Sequence, residues 1–278
     1  LDRLCDGWIE RGLLERLSAS ASYEDKLLAA YMAGCDWFQP MDISLPGERI
    51  TETTPMHAGP AVFNMLTNPR LLDLVEDLIG AEITSTPIQH VRIKPPAKML
   101  FTDENRPHLD QTEWHQDRAV AHAEADETDM ITVWIAVTDA TLDNGCMQVV
   151  PNEQEIMLPH CPAKQTSIAK GFLDEDRSVA VPVKSGGVLI LDPMLPHSSL
   201  ANTTQGIRWS FDVRYNRTGQ PTGRAHFPEF VARSRVDPDS ELQDWQQWKA
   251  SWDTARSRIA KQPHIELHRW DSSAPACA

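Results

Sequence analysis

Ile207-Arg208-Trp209-Ser210-Phe211-Asp212-Val213-Arg214-Tyr215 alternates apolar and polar residues without a break. Successive side chains of an extended chain point to opposite faces. Ile207, Trp209, Phe211, Val213 and Tyr215 therefore share an apolar face, and Arg208 and Ser210 share the other. An arginine turned into a barrel interior is costly unless it meets an anion, and its planar fork suits a carboxylate. The partner is either a carboxylate ligand or a buried aspartate of the chain such as Asp212.

Outward from this strand, short β-branched and apolar runs separated by Pro, Gly, Asn and Asp predict further strands at Ile83 to Lys94, Met130 to Thr138, Cys146 to Pro151, Ser178 to Val183 and Gly187 to Leu191. With no long helices between them they point to a sandwich or barrel rather than a parallel sheet. The first third reads as helical. Leu1, Leu4, Cys5, Trp8 and Ile9 form a stripe that Leu13, Leu14 and Leu17 continue past Gly12, a residue that costs about 1 kcal/mol against alanine and marks a candidate break in the helix. Tyr23 to Ala33 forms a second helix, with Glu24 and Asp25 at its positive end. Asn68-Pro69-Arg70 opens a third, with Leu71, Leu72, Leu74, Val75 and Leu78 on its buried face and Gly80 as its stop. A last helix, Ser240 to Ala260, carries Leu242, Trp245, Trp248 and Trp252 as a core-packing stripe. The expected class is mainly β with flanking helices (α+β), in one domain over 1–278: helices to about 80, core 81–216, loop and helix 217–278.

The 278 residues carry 26 Lys+Arg against 40 Asp+Glu, a net charge of −14. Such a surface repels phosphate backbones and anionic membranes, so small molecules are the expected partners and nucleic acid is not. The longest uncharged apolar run, Val188 to Leu191, falls far short of the roughly 20 residues of a membrane span. Cys5, Cys35, Cys146, Cys161 and Cys277 are odd in number, scattered and without a CxxC. They are expected to be reduced structural thiols in a cytoplasmic protein, and the charged stretch Leu1 to Leu17 is not a signal peptide.

In Trp114-His115-Gln116-Asp117, His115 and Asp117 at i and i+2 share a face of an extended segment. A third ligand is offered by His197 in Leu191-Asp192-Pro193-Met194-Leu195-Pro196-His197-Ser198-Ser199. Two histidines and a carboxylate on one face of an octahedron leave three open positions, the arrangement of non-haem Fe(II) oxygenases.

His115-Gln116-Asp117, Trp134, Asn144-Gly145-Cys146-Met147-Gln148-Val149-Val150-Pro151, His197, Ser199, and Arg208 eleven residues beyond that histidine together resemble the phytanoyl-CoA dioxygenase family. The resemblance spans roughly 71–215 and implies a double-stranded β-helix (jelly-roll) core and Fe(II)- and 2-oxoglutarate-dependent chemistry using O2. It implies that His115, Asp117 and His197 hold iron, that Arg208 binds the distal carboxylate of 2-oxoglutarate with Ser199, and that Trp134 lines the pocket. Ser210 joins them by alternation with Arg208, and Gln116 by its place in the motif. His90 stands close to where the family has another cosubstrate-pocket residue and reads equally as a core histidine. A lysine contact of some members has no assignable counterpart within Glu52 to His57.

A carboxylate at Asp117 points to hydroxylation, desaturation or ring chemistry rather than halogenation. Three segments are candidates for the substrate mouth: Ala97 to Glu113, the acidic Arg118 to Asp129, and Arg217 to Pro228. Other classes remain: a zinc hydrolase or cupin-type isomerase, which has no need of Arg208; a non-catalytic jelly-roll binding protein, which has no need of the triad; and a protein hydroxylase.

Overall fold

A computed structural model describes residues 1–35, 50–54, 56–102, 109–151, 156–163, 165–263, 265 and 269–277. Its helices are α1 (Asp2–Glu10), α2 (Tyr23–Met32), α3 (Pro60–Leu66), α4 (Pro69–Ile79), α5 (Asp117–Val120) and α6 (Trp245–Ala260). Its strands are β1 (Ile83–Ser85), β2 (His90–Lys94), β3 (Met130–Ala136), β4 (Met147–Val149), β5 (His160–Pro162), β6 (Thr166–Ile168), β7 (Val179–Val181), β8 (Val188–Leu191), β9 (His197–Ser199), β10 (Arg208–Arg217) and β11 (Phe230–Arg233). The chain is mainly β, with helices at both ends.

β10 organises the larger sheet, which runs β11-β1-β10-β3-β8 with β2 also paired to β10. β1 lies against Tyr215–Arg217 and β2 against Arg208–Asp212, both antiparallel. The single strand expected over 83–94 is thus two strands on one edge of β10. Pro87, which has no N–H to give a ladder, lies in the break, and Gln89 Nε2 donates to Ser85 Oγ across it at 2.6 Å. A smaller sheet runs β7-β4-β9, and β5 and β6 form a separate hairpin.

The alternation read in β10 extends across its neighbours, because directly opposed residues share a face. Val91, Ile93, Ile131, Val133, Trp209, Phe211, Val213 and Tyr215 pack in one apolar cluster with Leu66, Leu71, Leu72, Val75, Ile79, Trp248 and Trp252 of the helices. At roughly 1.5–3 kcal/mol for each large apolar side chain buried, this layer is the main attachment of helices to sheet. The opposite face carries His90, Arg92 and Lys94 beside Asp212, Ser210 and Arg208, then Arg214, Thr132 and Trp134. One face is thereby core and the other is a polar interior.

The helix ends follow their local chemistry. α1 stops before Gly12, which has φ +72°, so Leu13 and Leu17 do not extend it. Ser22 and Asp25 form a reciprocal cap on α2. Asn68 caps α4, Pro69 opens it, and Gly80 at φ +90° ends it. Its buried face is Leu71, Leu72, Val75 and Ile79. Leu74 and Leu78, expected inside, are exposed, because the helix presents the 71/75/79 row to the sheet. In α6, Trp248 and Trp252 are buried as expected and Trp245 partly so.

The cysteine expectation is overturned at one pair. Cys161 and Cys277 form a disulfide, 116 residues apart in sequence, while Cys5, Cys35 and Cys146 are buried cysteines outside that bridge. Spacing along the chain does not disclose a pairing made by the fold. The bridge also removes the reduced-thiol basis for a cytoplasmic assignment. Among the described residues no helix is long and apolar enough to cross a membrane.

Candidate metal and cosubstrate site

The segment before α5 runs antiparallel to β9, and His115 and His197 exchange both backbone hydrogen bonds, at 3.0 and 2.9 Å. This pairing brings two residues 82 positions apart (197 − 115) onto one spot. Each ring then fixes itself. The Nδ1 of His115 lies 2.8 Å from the Glu113 carbonyl, and that of His197 lies 2.9 Å from the Leu195 carbonyl. With Nδ1–H donating, Nε2 of each imidazole keeps its lone pair for a metal. Those Nε2 atoms lie 3.7 and 3.9 Å from the two Asp117 oxygens, and the three ligand atoms lie within 4.8 Å of one another. All three side chains are buried.

Asp117 is held from the far side. Its Oδ2 accepts from Thr132 Oγ1 at 2.5 Å and its Oδ1 from Arg214. Burial alone would raise this carboxyl, but Arg214, His197, His115 and Thr132 outweigh it and hold it well below the usual carboxylate range. Burial, with His197 next, pushes His115 down to about 3, so the ring is neutral and available as a ligand.

Gln116, between the ligands, turns the other way. Its amide donates to the carbonyls of Ile156 and Met194 and accepts from Leu158 N–H, at 2.9, 2.6 and 2.7 Å. That is a clamp on neighbouring backbone and replaces the cosubstrate contact expected of it; on an extended segment the residue between two inward ligands faces outward. Its own N–H donates to His160 Nε2 at 3.1 Å, while His160 Nδ1 lies 2.7 Å from Leu158 O. His160 stacks on Trp270, and burial pushes its ring down to about 4. Nothing in a lone histidine 43 residues after Asp117 (160 − 117) signalled this support.

At the other end of the interior stands Arg208, 1% exposed. It donates to Ser210 Oγ and lies over the Trp134 ring, 5.4 Å from its centroid. Its Nε has no partner among the described residues. Burial, with the nearby Arg92 charge, pushes the guanidinium down to about 9. The aspartate alternative fails, because Asp212 pairs with Arg92 at 3.1 Å and lies 3.9 Å from Arg214. A buried guanidinium with an unused donor and no carboxylate partner among the described residues fits a carboxylate ligand.

Ser199 lies on β9 two residues after His197, on the same face, and accepts from Lys94 Nζ at 2.6 Å. His90 lies opposite Asp212, four register pairs along β2 from the Lys94–Arg208 pair; against burial, Arg214 and Arg92, with His90 after them, hold the Asp212 carboxyl low. The structure thus brings Trp134, Ser199 and Ser210 to the Arg208 end and leaves His90 at Asp212. Arg92, Lys94, Thr132 and Arg214 were missed. The alternation of His90, Arg92 and Lys94 against Val91 and Ile93 was the available signal, since polar residues at period two on a strand beside β10 must face its polar side.

Two of the expected mouth segments pack on each other. Arg118 donates to the carbonyls of Ala125 and Thr128, Thr128 to that of Pro221, and Arg224 to that of Val120. Gly223, at φ +70°, sits against Ala121 and Ala125, where a Cβ would come within 2.7 Å. The acidic stretch is accordingly a tied loop. Within Ala97 to Glu113, positions 103–108 lie outside the described residues.

Residues 40–210 match the phytanoyl-CoA dioxygenase (PhyH) family model. A probable phytanoyl-CoA dioxygenase of Caenorhabditis elegans is 29% identical over 181 residues, 61% of this chain and 55% of that protein. The chain therefore spans about half the length of this curated relative. Among solved structures, the apo form of ThoJ, a non-heme monooxygenase, superposes with a TM-score of 0.54 at 21% identity, covering 71% of this chain and 74% of its own. That likeness is one of fold. EvdO2 from Micromonospora carbonacea var. aurantiaca, complexed with 2-oxoglutarate, is 22% identical with a TM-score of 0.46, covering 57% and 64%.

Proposed function

Because the chain belongs to the phytanoyl-CoA dioxygenase family, we propose that it is a non-haem Fe(II)- and 2-oxoglutarate-dependent dioxygenase that hydroxylates an unactivated C–H bond of a small, secondary-metabolite-type molecule. In this reading residues 1–278 work as one domain, and the two sheets are the walls of a double-stranded β-helix. The observation that carries it is the pairing of a buried His-Asp-His cluster with a buried arginine that meets no carboxylate among the described residues.

His115, Asp117 and His197 would hold iron(II), and Arg208, Ser199 and Ser210 would bind the distal carboxylate of 2-oxoglutarate with Trp134 along its side. Iron, 2-oxoglutarate and O2 together supply the oxidising power for C–H cleavage, with succinate and CO2 released. The protein's contribution is arrangement. The Glu113 and Leu195 carbonyls keep both imidazoles in the ligating tautomer. Arg214 and Thr132 hold Asp117 ionised and oriented. The apolar layer on the other face of the sheet packs the strands that carry these groups against the helices. A hydrolase would have no use for Arg208, and a binding protein none for the triad.

Purified protein with Fe(II), ascorbate and 2-oxoglutarate is expected to release succinate slowly in an O2-dependent reaction, and faster with the correct substrate. A library of small molecules screened for stimulated succinate release would identify that substrate. Full O2-dependent turnover by Asp117→Ala would overturn the assignment.

A further inference from the structure

Lys94 ends β2 directly opposite Arg208, on the polar face, and is 2% exposed. Two buried cations side by side are costly unless something compensates them. Burial, then the Arg208 charge, drives the Lys94 ammonium well below its ordinary range. Its partners within 2.6 Å are Ser199 Oγ and the Leu200 carbonyl. No carboxylate bonds it among the described residues.

Ser199 is the informative atom. Its Oγ accepts from Lys94 Nζ at 2.6 Å and from the Thr112 backbone N–H at 3.0 Å. A hydroxyl has two acceptor positions and one hydrogen. With both acceptor positions filled, Ser199 can act toward a third group only as a donor. Ser199 shares its strand face with the ligand His197, so its side chain lies on the interior side of β9.

The approach of Lys94 is itself built in. Gly145, at φ +90°, has room for no side chain: a Cβ there would lie 2.5 Å from the Leu200 carbonyl oxygen and 2.8 Å from Lys94 Cδ. The glycine of Asn144-Gly145-Cys146 thus leaves the channel through which the lysine stem reaches Ser199. Asn202 Nδ2 donates to the Lys94 carbonyl at 3.0 Å and fixes the strand end.

We propose that Lys94 is a positioning residue of the carboxylate pocket: it fills an acceptor position of Ser199 from behind, so that the serine hydroxyl donates to the same distal carboxylate that Arg208 binds. This rests on the reading of Arg208 above. It makes the serine a one-way donor beside Arg208, which favours a dianionic 2-oxo acid over one lacking the distal carboxylate.

The test is equilibrium binding by thermal shift on Mn(II)-loaded protein, comparing 2-oxoglutarate with 2-oxopentanoate, which lacks the distal carboxylate. Lys94→Met is expected to weaken 2-oxoglutarate roughly 10- to 100-fold, the effect of losing a charge-assisted contact, and to leave 2-oxopentanoate within about twofold. Adding Ser199→Ala to that variant is expected to cost much less than Ser199→Ala alone, because the two act on one bond. A merely structural lysine would weaken both ligands in parallel, and that result, or unchanged 2-oxoglutarate binding, overturns the proposal. Lys94→Gln keeps a donor without the charge and carries the same comparison where the Met variant folds poorly. Arg208→Met separates the two readings. If it removes the preference for 2-oxoglutarate while Lys94→Met does not, the role of Lys94 fails alone; if Arg208→Met leaves the preference intact, the pocket itself is misplaced.

Discussion

Arg208→Met should act on stability and on binding with opposite signs. In the protein without cosubstrate, the guanidinium is buried without a carboxylate, and its fall from the ordinary 12.5 to about 9 corresponds to on the order of 5 kcal/mol of unfavourable burial of charge, since 12.5 − 9 is 3.5 and each pH unit is about 1.4 kcal/mol. Two contacts offset part of this. The face of Trp134 contributes up to about 2 kcal/mol, and the bond to Ser210 about 1.5–3 kcal/mol. The remainder is about 0–3.5 kcal/mol, so methionine, of similar length and without charge, should leave the protein as stable as before or more so. Binding behaves otherwise. Removing one partner of a buried ion pair costs about 3–5 kcal/mol, or roughly 150- to 5000-fold in the affinity for 2-oxoglutarate. Thermal denaturation with and without 2-oxoglutarate reads both at once. Wild type should gain stability with ligand as RT ln(1 + [L]/Kd), whereas the variant should start level or a few degrees higher and gain nothing. A variant that melts several degrees lower yet keeps its ligand-induced shift would refute the reasoning, because Arg208 would then be a structural arginine.

Asp117→Ala is expected to lose metal binding and, in EDTA, to lose about 3–5 kcal/mol of stability, because Arg214 is left buried without its carboxylate; Asp117→Ala/Arg214→Met should recover much of this in urea denaturation, and a fully stable single variant would contradict the buried pair. His160, an imidazole held down at about 4 by burial, is neutral when folded, so the unfolded chain takes up the proton first as pH falls below 6.5. Its favourable contribution is intact above pH 6.5 and is lost between 6.5 and about 4, by about 3 kcal/mol; the stability gap between wild type and His160→Gln should close by that amount over this window, and a gap independent of pH would sink the assignment. The Cys161–Cys277 bridge should stabilise by about 2–4 kcal/mol, so reductant should lower the melting midpoint of wild type and leave that of Cys277→Ser unmoved; equal sensitivity in both would show that the bridge contributes nothing.

What could be read from the sequence divides along one physical line. Alternation within a strand is local, so Ile207 to Tyr215 declared which of its residues face a core and which face an interior. Arg208 and Ser210 were placed together before any neighbour was known, and contact between them followed. Helix starts and stops were legible for the same reason, at Asn68 and Gly80. Register between strands is not local. Nothing near Lys94 says that its partner is Arg208, and nothing near Thr132 says that it lies opposite Arg214. α3, the β5–β6 hairpin and β11 are too short to show a period, and a disulfide across 116 residues has no signature between odd, scattered cysteines.

The same distinction explains how an acidic chain comes to carry a cationic interior. Each strand obeys period two, so a single apolar face, built for helix packing, obliges every residue between its members to turn inward. Once Val91, Ile93, Trp209, Phe211 and Val213 are committed to the core, Arg92, Lys94, Arg208 and Arg214 have no other place to go. Their burial is tolerable only where acceptors are waiting: Asp212 and Asp117 for Arg92 and Arg214, Ser199 and a carbonyl for Lys94. For Arg208 the described residues supply one hydroxyl and an aromatic face and leave its Nε without an acceptor. The net charge of −14 is a sum over the whole chain and does not describe this site. Among the described residues no carboxylate fills that place beside Arg208, and in the proposed reading 2-oxoglutarate brings it.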